Sequence, residues 1–457
     1  MPVELDATLS AVEDLHPMNV LWLAHAIPYP PKAGFLSRSY HLLRELAQRQ
    51  NVDLIAFVQE QWIETLFPTL GEGLEESRRA LQDFCRKVTF LPIEHARRPW
   101  GKRITALRAV LSGSTYTLSW LVSAPGRATI ARELAANRYD VVHFDTIGLA
   151  PYRSQTGLLP ATLTHHNIES HMLQRRADNT HNAIARAYFR REARGVEELE
   201  RRSAAQFARH ITCSDLDRMR LHQIAPEADI AVIPNGVDCD FFTSAARPTR
   251  PNSVIFVGSM NWYPNVDAML FFLREIWPGL KERVPEATMD IAGSSPSDSL
   301  RTLAHSLPDV VVHGYLPDVR PLMDTAAVFV CPIRDGGGTK LKLLDAFAMK
   351  KCVVAHPIAC EGINVTAGTN VVLASTAEEF ATEISRLFAD DARRLAIATA
   401  ARQLAESQYS FRRIGEQFNS MVEATLAREA PAGQCEEIGS THTPSRRRSP
   451  VTNSNPN

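Results

Sequence analysis

No stretch of the chain reaches the roughly 18 consecutive apolar residues that a membrane-spanning helix needs, so a spanning segment is not expected. An excess of charge of either sign is missing too. Lys and Arg number 50 against 51 Asp and Glu, a formal net charge of -1, which leaves no global field to hold nucleic acid or a lipid surface. Any partner has to be recognised by a local site. Cysteine is sparse: Cys85, Cys213, Cys239, Cys331, Cys352, Cys360 and Cys435 are odd in number and never fall at the short spacings of zinc sites. That pattern implies a reduced compartment and no structural metal. The opening residues, MPVELDATLSAVEDLHP, are acidic and carry neither the basic start nor the apolar stretch of a secretory signal, so a cytoplasmic location is expected. No G-x-G-x-x-G follows the first strand-like run, which counts against a nicotinamide-dependent dehydrogenase.

What is present is length and apolar content. The 457 residues, 45% hydrophobic and 22% charged, can fill two cores and still leave tails. MNVLWLA, from Met18, reads as a strand, PYPPKAG as a loop and SRSYHLLRELAQR as an amphipathic helix. Apolar runs return at VDLIAFV, KVTFLPI, DVVHFD and ATLTHH with helical stretches between them, the pattern of a parallel sheet covered on both faces. TSAARPTRPNS, residues 243–253, then interrupts the alternation as a linker would, after a first domain spanning 18–242. Over 254–408 the alternation restarts with SVIFVGSM, ATMDIAGS, VVVHGY, AVFVCPI, CVVAHPI and NVVLAS. The expected fold class is α/β, two Rossmann-like doubly wound domains. Residues 1–17 are expected to be a tail, and 427–457 a disordered one, because its few apolar side chains cannot offset the entropy of ordering. Its Arg446 to Arg448 run reads as solvated charge.

Open α/β sheets hold ligands outside the carboxyl ends of their strands, where loops lead into helix N-termini. The best-placed segment is RDGGGTKLKLLDAFAMKK: AVFVCPI ends as a strand, Gly336, Gly337 and Gly338 form the loop, and a helix follows from Thr339. Such a loop lets backbone N–H groups approach a diphosphate. On the helix, Lys342 and Asp345 share a face. They read either as an ammonium for phosphate with a carboxylate for ribose hydroxyls, or as an exposed intrahelical ion pair.

GGGTKLKLLDAFAM followed by VVAHPIACEGI resembles the donor-site signature of the GT-B glycosyltransferases of family 4, and VIPNGVD, Val232 to Asp238, resembles that family's interdomain motif. With FVGSMNWYPNVDAM, DIAGS, HGYLPDV and LAHAIPYPPKAG the likeness runs over most of the chain and is nearest the bacterial exopolysaccharide branch. It implies a GT-B fold: two Rossmann-like domains facing across a cleft, with the final helical run, 409–426, crossing back onto the first domain. It further implies retaining transfer of a sugar from a nucleotide-diphosphate-sugar to a glycan or lipid-linked acceptor in polysaccharide biosynthesis. No metal and no cofactor enter that chemistry, the nucleotide-sugar being the donor substrate.

Carried over position by position, the second acid of the family's paired-acid motif falls on Asp345, a ribose contact, while the first falls on Gly337. Where the family often places Arg after the strand-ending Gly258, this chain has Ser259, and the Lys expected a few residues on is replaced near Pro264 and Asn265. The diphosphate charge is therefore assigned to Arg334, Lys342 and Lys340, with Gly258, Ser259, Gly337, Gly338 and Thr339 lining the donor site. Lys340 also reads as an outward, solvated side chain. His166, at the end of ATLTHH, takes the place of the family's catalytic-site histidine; a structural histidine at a strand end is the alternative. Gly34, closing PPKAG, either admits backbone to the donor phosphate or acceptor or makes an ordinary turn. Two other classes stay open: a degenerate, non-catalytic sugar-nucleotide-binding subunit, and a nucleotide-sugar epimerase.

Arg86, Lys87, Arg97, Arg98, Lys102, Arg103 and Arg108 gather around Trp100 ahead of the uncharged AVLSGSTYTLSWLVSAPG. The patch reads either as a solvated face or as a peripheral contact with an anionic inner-membrane surface beside a lipid-linked acceptor. No nucleic-acid partner is expected.

Overall fold

The structure is a computed structural model describing residues 16–429 apart from 33, 94–99, 112–113 and 337; at 102, 103, 110, 111, 118, 428 and 429 it describes backbone only. Strands β1 (Asn19–Ala24), β2 (Asn51–Val58), β3 (Lys87–Pro92), β4 (Val141–Phe144), β5 (Ala161–His165), β6 (Arg209–Thr212) and β7 (Ile230–Val232) pair in the order β3-β2-β1-β4-β5-β6-β7. A second sheet takes β8 (Ser253–Val257), β9 (Thr288–Ala292), β10 (Val310–Gly314), β11 (Val328–Cys331), β12 (Cys352–Ala355) and β13 (Val372–Leu373) in the order β10-β9-β8-β11-β12-β13. Neighbours in both sheets are parallel.

Helices cover both faces of each sheet, which is why the strands are continuous apolar runs. In β1, Val20 and Trp22 enter one core with Leu42 and Leu54, while Leu21 and Leu23 enter another with Phe57, Phe144 and Tyr152. The second domain has its own core around Phe256, Phe272, Trp277, Phe329, Phe347 and Phe380. Strands β6 and β7 were not expected from the sequence. RHIT and IAV are too short to stand out, and their place is set by pairing with β5 and with each other.

The chain passes between domains twice, and the two passages lie side by side. Val237 donates its N–H to Tyr409 O at 2.8 Å, and Phe411 returns one to Val237 O at 3.1 Å. The VIPNGVD passage is gripped from both ends. Arg38, a buried side chain of the first domain, donates to Ile233 O at 2.8 Å and Pro234 O at 2.6 Å. Arg402 of the second domain donates to Phe242 O at 2.8 Å and Cys239 O at 3.1 Å. The stretch 243–253, which composition marks as a linker, is fastened to the second domain: Ser244 Oγ and the Arg247 N–H donate to the buried Asp324 carboxylate, and Ser253 already opens β8.

After the second passage, the helix Phe411–Glu429 lies on the first domain against helix Gly34–Ala47. Ile414, Phe418, Met421 and Val422 complete the core that holds Trp22 and Leu42. The first domain's core is therefore not closed without helix Phe411–Glu429. Phe418 is wholly buried, with its ring centroid 5.7 Å from Trp22 and 5.3 Å from His143. Phe418→Ala is expected to destabilise the first domain by ~3–5 kcal/mol, read as a lowered denaturation midpoint with an unchanged slope.

Candidate functional site

Each sheet has one point where the strand order turns back, between β1 and β4 in the first and between β8 and β11 in the second. Loops leaving these strands run to opposite faces of the sheet and leave a crevice at the carboxyl ends. The chain places His25 directly after β1, Asp145 directly after β4 and His166 directly after β5. Across from them, Gly258 follows β8 and the glycine loop follows β11. The two crevices meet. A Cβ on Gly34 would lie 3.2 Å from Leu341 of the second domain, and one on Gly338 would lie 2.8 Å from Asn167 Oδ1 of the first. Lys32 Nζ is 3.3 Å from the Tyr315 hydroxyl, and Arg175 pairs with Asp335.

The glycine loop owes its shape to one buried cation. Gly336 and Gly338 have φ of 104° and 71°, a region that side chains rarely adopt. Lys340 turns back beneath them, 3% exposed, and donates from Nζ to Gly336 O at 2.8 Å and Gly338 O at 2.9 Å. Lys340 is thus neither a solvated side chain nor a free phosphate cation: its ammonium is consumed in folding the loop's carbonyls inward. Asp335 fixes the loop's other end, accepting from the Tyr263 hydroxyl and the Gly336 N–H, both at 2.7 Å. Burial opposes its charge, but these hydrogen bonds and Arg175 hold its carboxyl below the usual range. Thr339 lies against Gly362, its hydroxyl buried without a hydrogen-bond partner among the described residues. Gly337 lies outside the described residues.

Lys342 is the cation aimed at the crevice. Its ammonium sits beside Gly258, where a Cβ would come within 3.0 Å, and over the rings of Phe256 and Trp262 at 5.0 and 5.5 Å. It donates to the side-chain oxygen of Asn265, whose Nδ2 donates in turn to Ser259 O at 2.6 Å. Asn265, in the stretch near Pro264 where the family likeness implies a Lys, thereby braces both the β8 turn and Lys342. Burial lowers Lys342 to about 8 and raises half-buried Asp345, one turn along the helix, to about 7 against the pull of Lys342. Arg334 is not in this group. Its guanidinium lies 3.7 Å from the centroid of Phe271 and pairs with Asp267 at 3.3 Å. The Ser259 hydroxyl is 2.9 Å from that of Ser294.

On the first-domain side the two neighbouring histidines part ways. His165 is buried, with Nε2 3.0 Å from His210 Nδ1, while His166 Nε2 comes within 3.4 Å of Asp145 Oδ1. Asp145 is the hub: Ser39 Oγ donates to its Oδ2 at 2.6 Å, and His25 and His143 approach at 3.9 and 4.0 Å. Burial works against its charge, yet His166 and then His25 hold its carboxyl below the usual range. Burial itself lowers His25 to about 4 and His143 to about 3. Sequence reasoning missed Asp145 and His25. Their one signal is positional, a polar residue immediately after a strand, and it gains meaning only once the strand order is known.

The basic patch around Trp100 divides. Arg86 and Lys87 belong to the opposite end of the sheet, paired with buried Asp53 and Glu133. Arg97 and Arg98 lie outside the described residues. Trp100, Ile104 and Leu107 remain exposed on and beside helix Gly101–Leu111, together with Arg108.

Comparison with known proteins agrees with this architecture. Residues 77–241 match the model described as Glycosyltransferase Family 4, and residues 251–390 match that of Glycosyl transferases group 1. The phosphatidyl-myo-inositol mannosyltransferase of Mycobacterium tuberculosis is 32% identical over 158 residues, 32% of this chain and 40% of that protein. The chain spans less than half the length of the curated relatives it matches. Among solved structures, the sucrose-phosphate synthase of Thermosynechococcus elongatus superposes with a TM-score of 0.63 at 15% identity, covering 90% of this chain and all of that one. Anabaena HepE, solved with UDP and glucose, gives 0.59 at 14% identity over 89% of this chain and all of its own. Fold and cleft are those of a GT-B protein. The chain belongs to the group 1 glycosyltransferases of family 4.

Lys340→Met keeps most of the side chain's length but leaves the loop carbonyls without their donor. It is expected to cost ~1.5–3 kcal/mol and to open the loop to proteolysis near Gly336, read by denaturant titration and limited digestion.

Proposed function

We propose that the protein is a retaining glycosyltransferase acting in polysaccharide or glycolipid synthesis, moving a sugar from a nucleotide-diphosphate-sugar to a glycan or lipid-linked acceptor. The observation that carries this reading is the meeting in one cleft of a glycine loop with a single inward cation, Lys342, and a histidine paired with a buried carboxylate, His166 with Asp145. The diphosphate rests on the N–H groups of the loop and of the helix Leu341–Ala348 behind it, and Lys342 supplies the compensating charge. Asp345 faces the ribose hydroxyls. His166, oriented by Asp145, hydrogen-bonds the sugar and holds its anomeric carbon beside the acceptor, on the face the diphosphate leaves.

In the proposed step the bond between the anomeric carbon and the phosphate oxygen breaks, its electron pair leaving with the diphosphate. The acceptor oxygen bonds the same face of that carbon, and its proton passes to the departing phosphate oxygen. Retention of configuration follows. Lys342 and the loop N–H groups stabilise the negative charge that grows on the leaving group, and no separate cofactor enters the scheme. Related proteins named for mannosyl transfer and for sucrose-phosphate synthesis support sugar transfer as the chemistry, and the UDP held by HepE makes a uridine nucleotide the first to test.

Calorimetric titration with UDP-, GDP- and ADP-sugars tests the donor site. One of them is expected to bind, and Lys342→Ala to weaken it about 10- to 100-fold, the loss of a charged hydrogen-bond donor. Absence of binding by all of them would return the reading to a degenerate family member. The ammonium of Lys342 is charged below its pKa of about 8 and neutral above it, so affinity should fall as pH rises through about 8 and level off near that of Lys342→Ala. In Lys342→Arg, which stays charged, the fall should vanish.

For the acceptor side we propose peripheral contact with an anionic membrane, from the cytoplasmic face, through Trp100, Ile104, Leu107 and Arg108. No helix among the described residues is long and apolar enough to cross a membrane. The exposed apolar side chains suit shallow insertion instead. Vesicles containing phosphatidylserine should sediment the protein at low salt, and Trp100→Ser with Leu107→Ser should abolish this; equal sedimentation with neutral vesicles would contradict the charge component.

A further inference from the structure

We infer that His25, Asp145 and His166 form a binding site for a transition-metal dication of the zinc class, whose occupancy withdraws His166 from the sugar. The inference shares His166 with the reading above but requires no nucleotide-sugar. Each residue offers one ligand atom, and the three atoms lie within 4.8 Å of one another. His166 Nε2 is 3.4 Å from Asp145 Oδ1, and His25 Nδ1 is 3.9 Å from Oδ2. Ligand atoms around a tetrahedral zinc ion at about 2.0–2.2 Å are about 3.3–3.6 Å apart, so the group closes on an ion with roughly 1 Å of movement shared between two rings.

Two further features suit a ligand set. The facing nitrogens, His25 Nδ1 and His166 Nε2, are both buried, and among the described residues the partner they share is the Asp145 carboxylate, at 3.9 and 3.4 Å, too long to satisfy either fully. Asp145 is supported from behind by the Ser39 hydroxyl at 2.6 Å, as metal-binding carboxylates are by their outer partners. Two nitrogens and one oxygen favour zinc or cobalt over magnesium or calcium, which take oxygen ligands. Side-chain exposures of 19% for His25 and 11% for His166 leave entry from the cleft and a fourth position for water. A metal on His166 Nε2 replaces the direct pairing with Asp145 that orients the ring for the sugar.

The test uses the full chain without sugar-nucleotide. Titration with Co²⁺ should give a visible absorption band of tetrahedral type that saturates at one equivalent, is bleached by Zn²⁺, and is lost in both His25→Ala and Asp145→Asn. Circular dichroism of the variants confirms that they are folded. Absence of the band together with no metal retained on equilibrium dialysis would overturn the proposal, as would a band that survives in both variants. Donor titration in the presence of EDTA is independent of this site, so failure of the metal site and failure of the donor site are told apart.

Discussion

The structure depends on a single topological constraint imposed twice: in each parallel sheet the strand order reverses once, and at that reversal the connecting loops cannot cover the strand ends. The residues that follow β1, β4, β8 and β11 are therefore left at the mouth of a crevice whatever their identity. Opposing the two crevices needs a fixed relation between the domains. It is supplied by the paired passages around Val237 and Ser410, gripped by Arg38 and Arg402, and by the terminal helix that finishes the first domain's core. Packing, crossing and cleft are thus one arrangement.

Charge is used sparingly in the cleft. Four cations stand near the glycine loop, but Lys340 is tied to the loop's own carbonyls, Arg334 to Asp267 and Phe271, and Arg175 to Asp335. Only Lys342 points toward the turn after β8. Its surroundings of Phe256, Trp262 and Asn265 raise the cost of its charge, leaving it poised to gain from an anion. The Arg175–Asp335 pair, joining helix Glu169–Asp178 to the loop, couples the position of the first domain to the shape of the glycine loop.

Much of this was legible in the sequence, for identifiable reasons. Strands buried on both faces announce themselves as unbroken apolar runs such as NVLWLA and SVIFV, and three successive glycines ahead of an amphipathic helix announce a tight loop. The terminal helix showed its apolar stripe, and the family resemblance said which surface it covers. What stayed hidden depends on approach in space. Lys340 and Lys342 look equivalent in sequence, two residues apart, yet one folds under the loop and the other reaches Asn265. Arg334 lies in the right segment but finds Asp267 and Phe271 on a neighbouring helix. Asp145 and His25 come from distant strands that only the sheet brings together, and β6 and β7 are too short to carry a pattern of their own.

The central claim is that one domain holds the donor while the other acts on its sugar. Slow hydrolysis of the bound nucleotide-sugar, followed by nucleotide release for the natural chain and for His166→Ala, tests it most directly. The account predicts a rate lower by about 100-fold with donor affinity changed by less than about threefold, the signature of an interaction made chiefly in the transition state. Equal loss of affinity and rate, or no loss of rate, would contradict that division between the domains.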